Sequence, residues 1–249
     1  MANVLTELSD TLANTVATAG ASVVRVAGRR RIPATGIVWS AEGLIVTAHH
    51  VVSRDENIEI GLPDGRSASA VLVGRDPATD TAVLRTDATG LTPLTESNKQ
   101  ELAVGNLVLA LGRPGKTVQA TLGIVSALGD SWRTRMGGQV DRYLQTDVVM
   151  YPGFSGGPLV DANGRLAGMN TSALMGGVSL AIPTATLARV ADALVADGRM
   201  KRGYLGVSTQ RVKLPDDLRE QLGQKSGLLI VSVESGSPAS TAGLTLSTE

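Results

Sequence analysis

Between residues 22 and 150 the chain breaks into short apolar or alternating runs, at 22–27, 36–40, 44–48, 57–62, 67–73, 82–86, 107–111, 119–127 and 143–150. Turn signals punctuate them, among them Pro63-Asp64-Gly65, Arg113-Pro114-Gly115 and Asp161-Ala162-Asn163-Gly164. Strands this short and this often interrupted, with almost no helical pattern among them, predict an all-β sandwich or barrel. Helical spacing is confined to the flanks. Val4, Leu5, Leu8, Leu12 and Val16 predict an amphipathic helix over 3–18. Leu187, Val190, Ala191 and Leu194 predict a second over 184–197, which Gly198 is suited to end.

Composition removes several chemistries. The chain has no Cys, so disulfides, a cysteine nucleophile and Cys-ligated metal are excluded. Its 23 basic and 23 acidic residues leave no basic excess of the kind a general nucleic-acid binder carries. The two histidines are adjacent, His49 and His50, so only one place can supply an imidazole base, and neighbouring histidines make a poor zinc pair. No metal or cofactor is expected. The acidic N-terminal stretch lacks the basic opening of a secretory signal. The longest uncharged run, 166–188, contains Asn170, Gly176, Gly177 and Pro183, and reads as strands and turns rather than a membrane helix.

The segment Pro152-Gly153-Phe154-Ser155-Gly156-Gly157-Pro158 carries the chemistry. Glycines around a serine allow a sharp turn that exposes the hydroxyl and lets backbone N–H groups converge on a developing oxyanion. The Gly-x-Ser-x-Gly pattern also fits the α/β-hydrolase elbow, but that fold places its histidine after the serine, and both histidines here precede Ser155. The subtilisin order needs an aspartate ahead of the histidine, and only Asp10, in the predicted terminal helix, precedes His49. The order His, Asp, Ser of the chymotrypsin class remains. His50 ends an apolar run, and Asp76 and Asp80 stand just before another.

Thr47-Ala48-His49-His50-Val51 is similar to the histidine motif of trypsin-like proteases. Thr79-Asp80-Thr81-Ala82-Val83-Leu84, Gln145-Thr146-Asp147 and Gly153-Phe154-Ser155-Gly156-Gly157-Pro158-Leu159 resemble the HtrA/Deg branch of that class. Gly123-Ile124-Val125-Ser126, Leu180-Ala181-Ile182-Pro183 and Gly203-Tyr204-Leu205-Gly206-Val207 support the resemblance, which covers essentially the whole chain. It implies a chymotrypsin-like pair of Greek-key β-barrels followed by a partial PDZ domain. The expected organisation is a helical segment over 1–20, a protease domain over 21–198 divided near residue 100 within the polar stretch 96–101, and a linker with an incomplete PDZ domain over 199–249.

The resemblance implies catalytic roles for His50, Asp80 and Ser155, and an oxyanion hole from the N–H groups of Gly153 and Ser155. Asp76 is assigned to the turn before Pro77, Asp147 to structure, and His49 to the opposite side of the chain from His50. Six residues before Ser155, where trypsin selects a cation with an aspartate, stands Val149, followed by Met150; an apolar wall suits small or medium aliphatic side chains. Asn170, Thr171 and Ser172 are expected to pair with the substrate backbone. Tyr204, Leu205, Gly206 and Val207 match the carboxylate-binding loop of a PDZ domain. The implied function is ATP-independent endoproteolysis of unfolded or misfolded protein; the family is usually extracytoplasmic, whereas the missing secretory signal leaves a cytoplasmic location or a trimmed leader as the alternatives. The implied partners are unfolded protein or peptide substrates and a homotrimer of this chain. The alternative is a non-proteolytic holdase with a collapsed active site.

Two departures from the family stand out. Phe154 replaces the aspartate that captures a new N-terminus in trypsin-like zymogens, so that switch is closed to this chain. Its apolar ring needs cover, either in a local groove or through a loop that shifts between ordered and disordered states. The family's trimer-forming N-terminal aromatics have no counterpart before Trp39. Ala110-Leu111-Gly112-Arg113-Pro114-Gly115-Lys116-Thr117 resembles a phosphate-binding loop, but Ala110 stands at its first glycine and the run leads into a turn, so nucleotide binding is rejected.

Overall fold

The computed structural model describes residues 3–30, 32–95, 102–201 and 203–246. The expected divide near residue 100, with its polar stretch, falls outside these residues. The chain separates into two compact units, Met1–Met200 and Lys201–Glu249.

The first unit opens with helix α1 (Val4–Gly20), capped by the Asn3 side chain, which accepts from the Leu5 N–H. Strands β1 (Val23–Ala27), β2 (Ala34–Val38), β3 (Leu44–Ala48), β4 (Ile58–Gly61), β5 (Ser67–Asp76) and β6 (Thr81–Thr86) follow. They close into an antiparallel barrel in the order β1-β2-β3-β6-β5-β4. The next strands are β7 (Leu107–Gly112), β8 (Gln119–Gly129), β9 (Trp132–Arg133), β10 (Gln139–Val140), β11 (Tyr143–Thr146), β12 (Pro158–Asp161), β13 (Leu166–Thr171) and β14 (Ser179–Pro183). Six of these form a second closed barrel, β11-β14-β13-β12-β7-β8, and β9 pairs with β10. The chain is thus the all-β double barrel expected of a chymotrypsin-like protein, and closure leaves neither barrel a long free edge.

Val24, Val26, Ile37, Ile45, Ile58, Ile60 and Leu84 fill the first barrel. Val108, Val125, Leu144, Leu159 and Phe154 belong to the second core. Helix α2 (Thr184–Asp197) buries Leu187, Val190, Ala191 and Leu194 against the first barrel's core, and ends at Gly198 with φ +69°. Helix α1 lays Ala19, Leu12 and Val16 against Val23, Leu109, Leu111 and Val160.

The second unit holds β15 (Val207–Lys213), α3 (Asp216–Leu222), β16 (Ser226–Val233) and α4 (Pro238–Thr241), with β15 and β16 paired as an antiparallel ribbon. No helix among the described residues is long and apolar enough to cross a membrane.

Candidate active site

The apolar strand β3 stops at Ala48, and a single 3₁₀ turn, His49–Val51, redirects the chain. That turn brings His50 against Asp80, which precedes β6 at the same end of the pairing between β3 and β6. The His50 Nδ1 lies 3.0 Å from Asp80 Oδ1 and 2.9 Å from Oδ2. The His50 backbone N–H also donates to Oδ1 at 3.0 Å, so one carboxylate fixes both the ring and its backbone. With the carboxylate as acceptor, Nδ1 is the donor and Nε2 keeps its lone pair for a base's work.

Asp80 is buried, and its backbone takes φ +53°, a left-handed conformation uncommon outside glycine. The His49 N–H donates to the Asp80 carbonyl at 3.0 Å, which helps hold that turn. The Thr171 hydroxyl donates to Asp80 Oδ2 at 2.5 Å. The carboxylate therefore receives three inward donors in a water-poor site. Asp76, the neighbouring acid, accepts instead from the Thr79 hydroxyl at 2.8 Å and the Ala78 N–H at 3.3 Å, which ties it to the turn at Pro77.

Ser155 sits on the loop between β11 and β12, and glycine is required there by close approach. A Cβ on Gly156, whose φ is +86°, would come within 2.2 Å of the Thr35 carbonyl oxygen. One on Gly157 would come within 2.1 Å of the Leu111 oxygen. The Gly156 N–H donates to the Asn170 carbonyl at 2.9 Å, and the Asn170 N–H donates to Gly157 at 2.8 Å, which staples the loop to β13. The N–H groups of Phe154 and Gly157 are also bonded, to the Tyr151 and Phe154 carbonyls. Those of Gly153 and Ser155 have no protein acceptor among the described residues. The Ser155 hydroxyl bonds to that of Ser172 at 3.2 Å.

Phe154 is fully buried. It packs in a groove floored by Gly112, where a Cβ would come within 2.5 Å of the ring, and meets Tyr151 edge to face at 5.7 Å. Of the two readings for this residue, the structure has the packed one.

The remaining expected site residues are spread over the same loops. Val149 is exposed, and its carbonyl accepts from the Thr121 hydroxyl, while Met150 leans on the second barrel's core. Asn170 and Thr171 differ from expectation. The Asn170 backbone is engaged by Gly156 and Gly157, and its side chain donates to the Pro158 carbonyl at 2.8 Å. Thr171 is buried, with its hydroxyl on Asp80. Stapling of β13 to the nucleophile loop thus takes Asn170 away from a substrate strand, and leaves Ser172 as the exposed member of the three. Asp147 accepts from the Ile124 N–H at 2.6 Å. His49 keeps Nδ1 buried without a hydrogen-bond partner among the described residues.

In the second unit, Tyr204 and Leu205 are exposed, and Val207 opens β15. The Tyr204 hydroxyl donates to Glu234, which raises its pKa. The Leu205 and Gly206 carbonyls accept from Ala239 and Glu234.

Thr35 goes unnoticed in the sequence, where it is one small residue in an apolar run. It is fully buried, and its hydroxyl donates to the Gly153 carbonyl at 2.6 Å.

A profile of the trypsin-like peptidase domain matches residues 34–169. A probable periplasmic serine endoprotease, DegP-like, from Chlamydia trachomatis is 37% identical over 222 residues, which cover 87% of this chain and 44% of that protein. One of the same description from Halomonas elongata is 39% identical over 223 residues, covering 86% and 46%. The chain therefore spans less than half the length of the curated relatives it matches. Among solved structures, the HtrA-type protease AlgW with a decapeptide aligns with a TM-score of 0.74 at 32% identity, over 94% of this chain and 82% of that one. The serine endoprotease from Yersinia pestis aligns with the same TM-score at 34% identity, over 94% and 79%. The chain belongs to the trypsin-like peptidase family, in its HtrA branch.

Proposed function

We propose that this chain is an ATP-independent serine endopeptidase acting on unfolded or misfolded protein through an acyl-enzyme on Ser155. The observations that carry the reading are the ordered chain from Thr171 to Asp80 to His50, and a Gly-framed Ser155 whose own N–H and that of Gly153 have no acceptor among the described residues. In this reading His50 Nε2 takes the Ser155 proton as Oγ attacks the scissile carbonyl, and then delivers it to the leaving amine. Asp80 holds the ring and stabilises the imidazolium. The N–H groups of Gly153 and Ser155 receive the oxyanion; one such donor is typically worth about 10²–10³ in turnover.

Val149 and Met150 line the specificity side with apolar surface, so cleavage follows small or medium aliphatic residues. Efficient cleavage after Arg in a peptide library overturns that preference. The ribbon and helices after Lys201 are read as the opening portion of a PDZ domain, with its carboxylate loop at Tyr204, Leu205, Gly206 and Val207. A homotrimer is the assembly that HtrA membership suggests, and sedimentation of the purified chain tests it.

Casein degradation by wild type and by Ser155→Ala, with fluorophosphonate labelling, decides the activity. Hydrolysis and labelling that both vanish in Ser155→Ala are expected. Binding of unfolded casein by wild type without cleavage or label overturns the reading in favour of a holdase.

A further inference from the structure

Thr35 belongs to β2 of the first barrel, yet it grips the nucleophile loop of the second. Its hydroxyl donates to the Gly153 carbonyl at 2.6 Å, and its N–H donates to the Ser155 carbonyl at 3.3 Å. These two carbonyls lie in the Gly153–Phe154 and Ser155–Gly156 peptides, on either side of the peptide that carries the Ser155 N–H. The peptide between Gly153 and Phe154 is held at both ends, since the Phe154 N–H donates to the Tyr151 carbonyl at 3.0 Å. A planar peptide pinned at its oxygen and at its nitrogen cannot rotate without breaking one bond.

The Thr35 hydroxyl is itself aimed. The Arg113 backbone N–H donates to Oγ1 at 2.8 Å, which occupies a lone pair and leaves the hydroxyl proton for Gly153. Arg113 cannot easily shift, because its guanidinium donates to the carbonyls of Gly20, Val23 and Lys116. On the other side the Thr47 hydroxyl donates to the Thr35 carbonyl at 2.7 Å. Thr35 is fully buried, so water cannot substitute for a lost bond.

We propose that Thr35 is a positioning residue for the oxyanion hole: its hydroxyl and N–H fix the Gly153–Phe154 and Ser155–Gly156 peptides, which lie on either side of the peptide carrying the Ser155 N–H, and the first of them adjoins the peptide carrying the Gly153 N–H. The inference rests on the endopeptidase reading given above. It differs from a simple packing role in its kinetic signature. A clamp that aligns donors acts when charge develops on the carbonyl oxygen, and so on kcat more than on substrate binding.

The test compares wild type with Thr35→Val, which keeps the branched shape and removes the hydroxyl, and with Thr35→Ser, which restores it. The expected result is a fall in kcat of about 10- to 100-fold in Thr35→Val with KM within about twofold, and recovery to within about threefold in Thr35→Ser. A peptide boronate, which places an oxygen in the hole, should lose affinity by a similar factor. A folded Thr35→Val with unchanged kcat and boronate affinity overturns the clamp. Should Thr35→Val not fold, Thr35→Cys, with a weak thiol donor of similar size, decides: an intermediate kcat supports the clamp and a wild-type kcat overturns it. A wild type that hydrolyses nothing overturns the endopeptidase reading, and the clamp with it.

Discussion

The Ser155 hydroxyl is hydrogen-bonded to the hydroxyl of Ser172, 3.2 Å away on the exposed turn after β13. Either hydroxyl can donate in this pair; where Ser155 donates, the same proton must turn to His50, and that bond breaks before acylation. A neutral hydroxyl pair contributes about 1 kcal/mol, equivalent to roughly fivefold in rate. Ser172→Ala should therefore raise the rate of fluorophosphonate labelling by up to about fivefold, with thermal stability little changed. A drop of tenfold or more would place Ser172 in the machinery rather than in competition with it.

Asp80 offers a sharper test of how the imidazole is held. Its carboxylate accepts from His50 Nδ1, the His50 N–H and the Thr171 hydroxyl at once. Asparagine keeps the shape but presents an amide donor to one of those three donors, and it drives His50 toward the wrong tautomer. Asp80→Asn is expected to lower kcat about 10⁴-fold while the fold persists. Thr171→Val removes one of the three bonds and should cost far less, about tenfold. Equal losses in the two variants would mean that Thr171, not Asp80, governs the ring.

Phe154 links the nucleophile loop to stability. Its ring fills the groove over Gly112, and truncation would open a cavity next to Ser155. Phe154→Ala is expected to destabilise by about 3–5 kcal/mol and to lower kcat as the loop loosens. Gly112→Ala drives a methyl into the same ring and should mimic part of both effects. Denaturant melts beside kcat measurements separate them; full activity in a strongly destabilised Phe154→Ala would detach the ring from the loop's order.

Much of this was legible in the residues. Chain order brought the histidine pair and Ser155 into one scheme, the family resemblance pointed to His50, and the runs at 44–48 and 82–86 correspond to β3 and β6, the strands whose pairing brings His50 near Asp80. The segments that escaped notice have physical reasons. Strand β12 is buried along its whole length, so it lacks the alternation that betrays a half-buried strand. The left-handed turn at Asp80 carries no glycine to announce it. Thr35 meets Gly153, and Thr171 meets Asp80, across 118 and 91 residues of chain. Such contacts depend on barrel closure, and a lone threonine in an apolar run gives no sign of them. The expectation that Asn170 would face substrate failed for the same reason, since its backbone partners lie on the nucleophile loop.

The two adjacent histidines should separate cleanly in pH and in activity. His49 has its pKa lowered, first by burial and then by Arg75 and His50, with Asp80 and Asp76 pulling the other way. The folded chain therefore binds this proton less readily than the unfolded chain, whose histidine titrates near about 6.5. Above that pH both states are neutral at this position and stability is full. As pH falls below it the unfolded chain is protonated first, and stability drops until the folded His49 is protonated as well. Melting temperature measured from pH 7.5 downward should fall more steeply between about pH 7 and about pH 5 for wild type than for His49→Gln. The same His49→Gln should keep kcat within about threefold, because the hydrogen-bonded partner of Asp80 is His50 and the His49 side chain has no hydrogen bond to Ser155 among the described residues, whereas His50→Ala should abolish hydrolysis. Parallel pH curves for wild type and His49→Gln would show that this ring does not carry the pH dependence of folding.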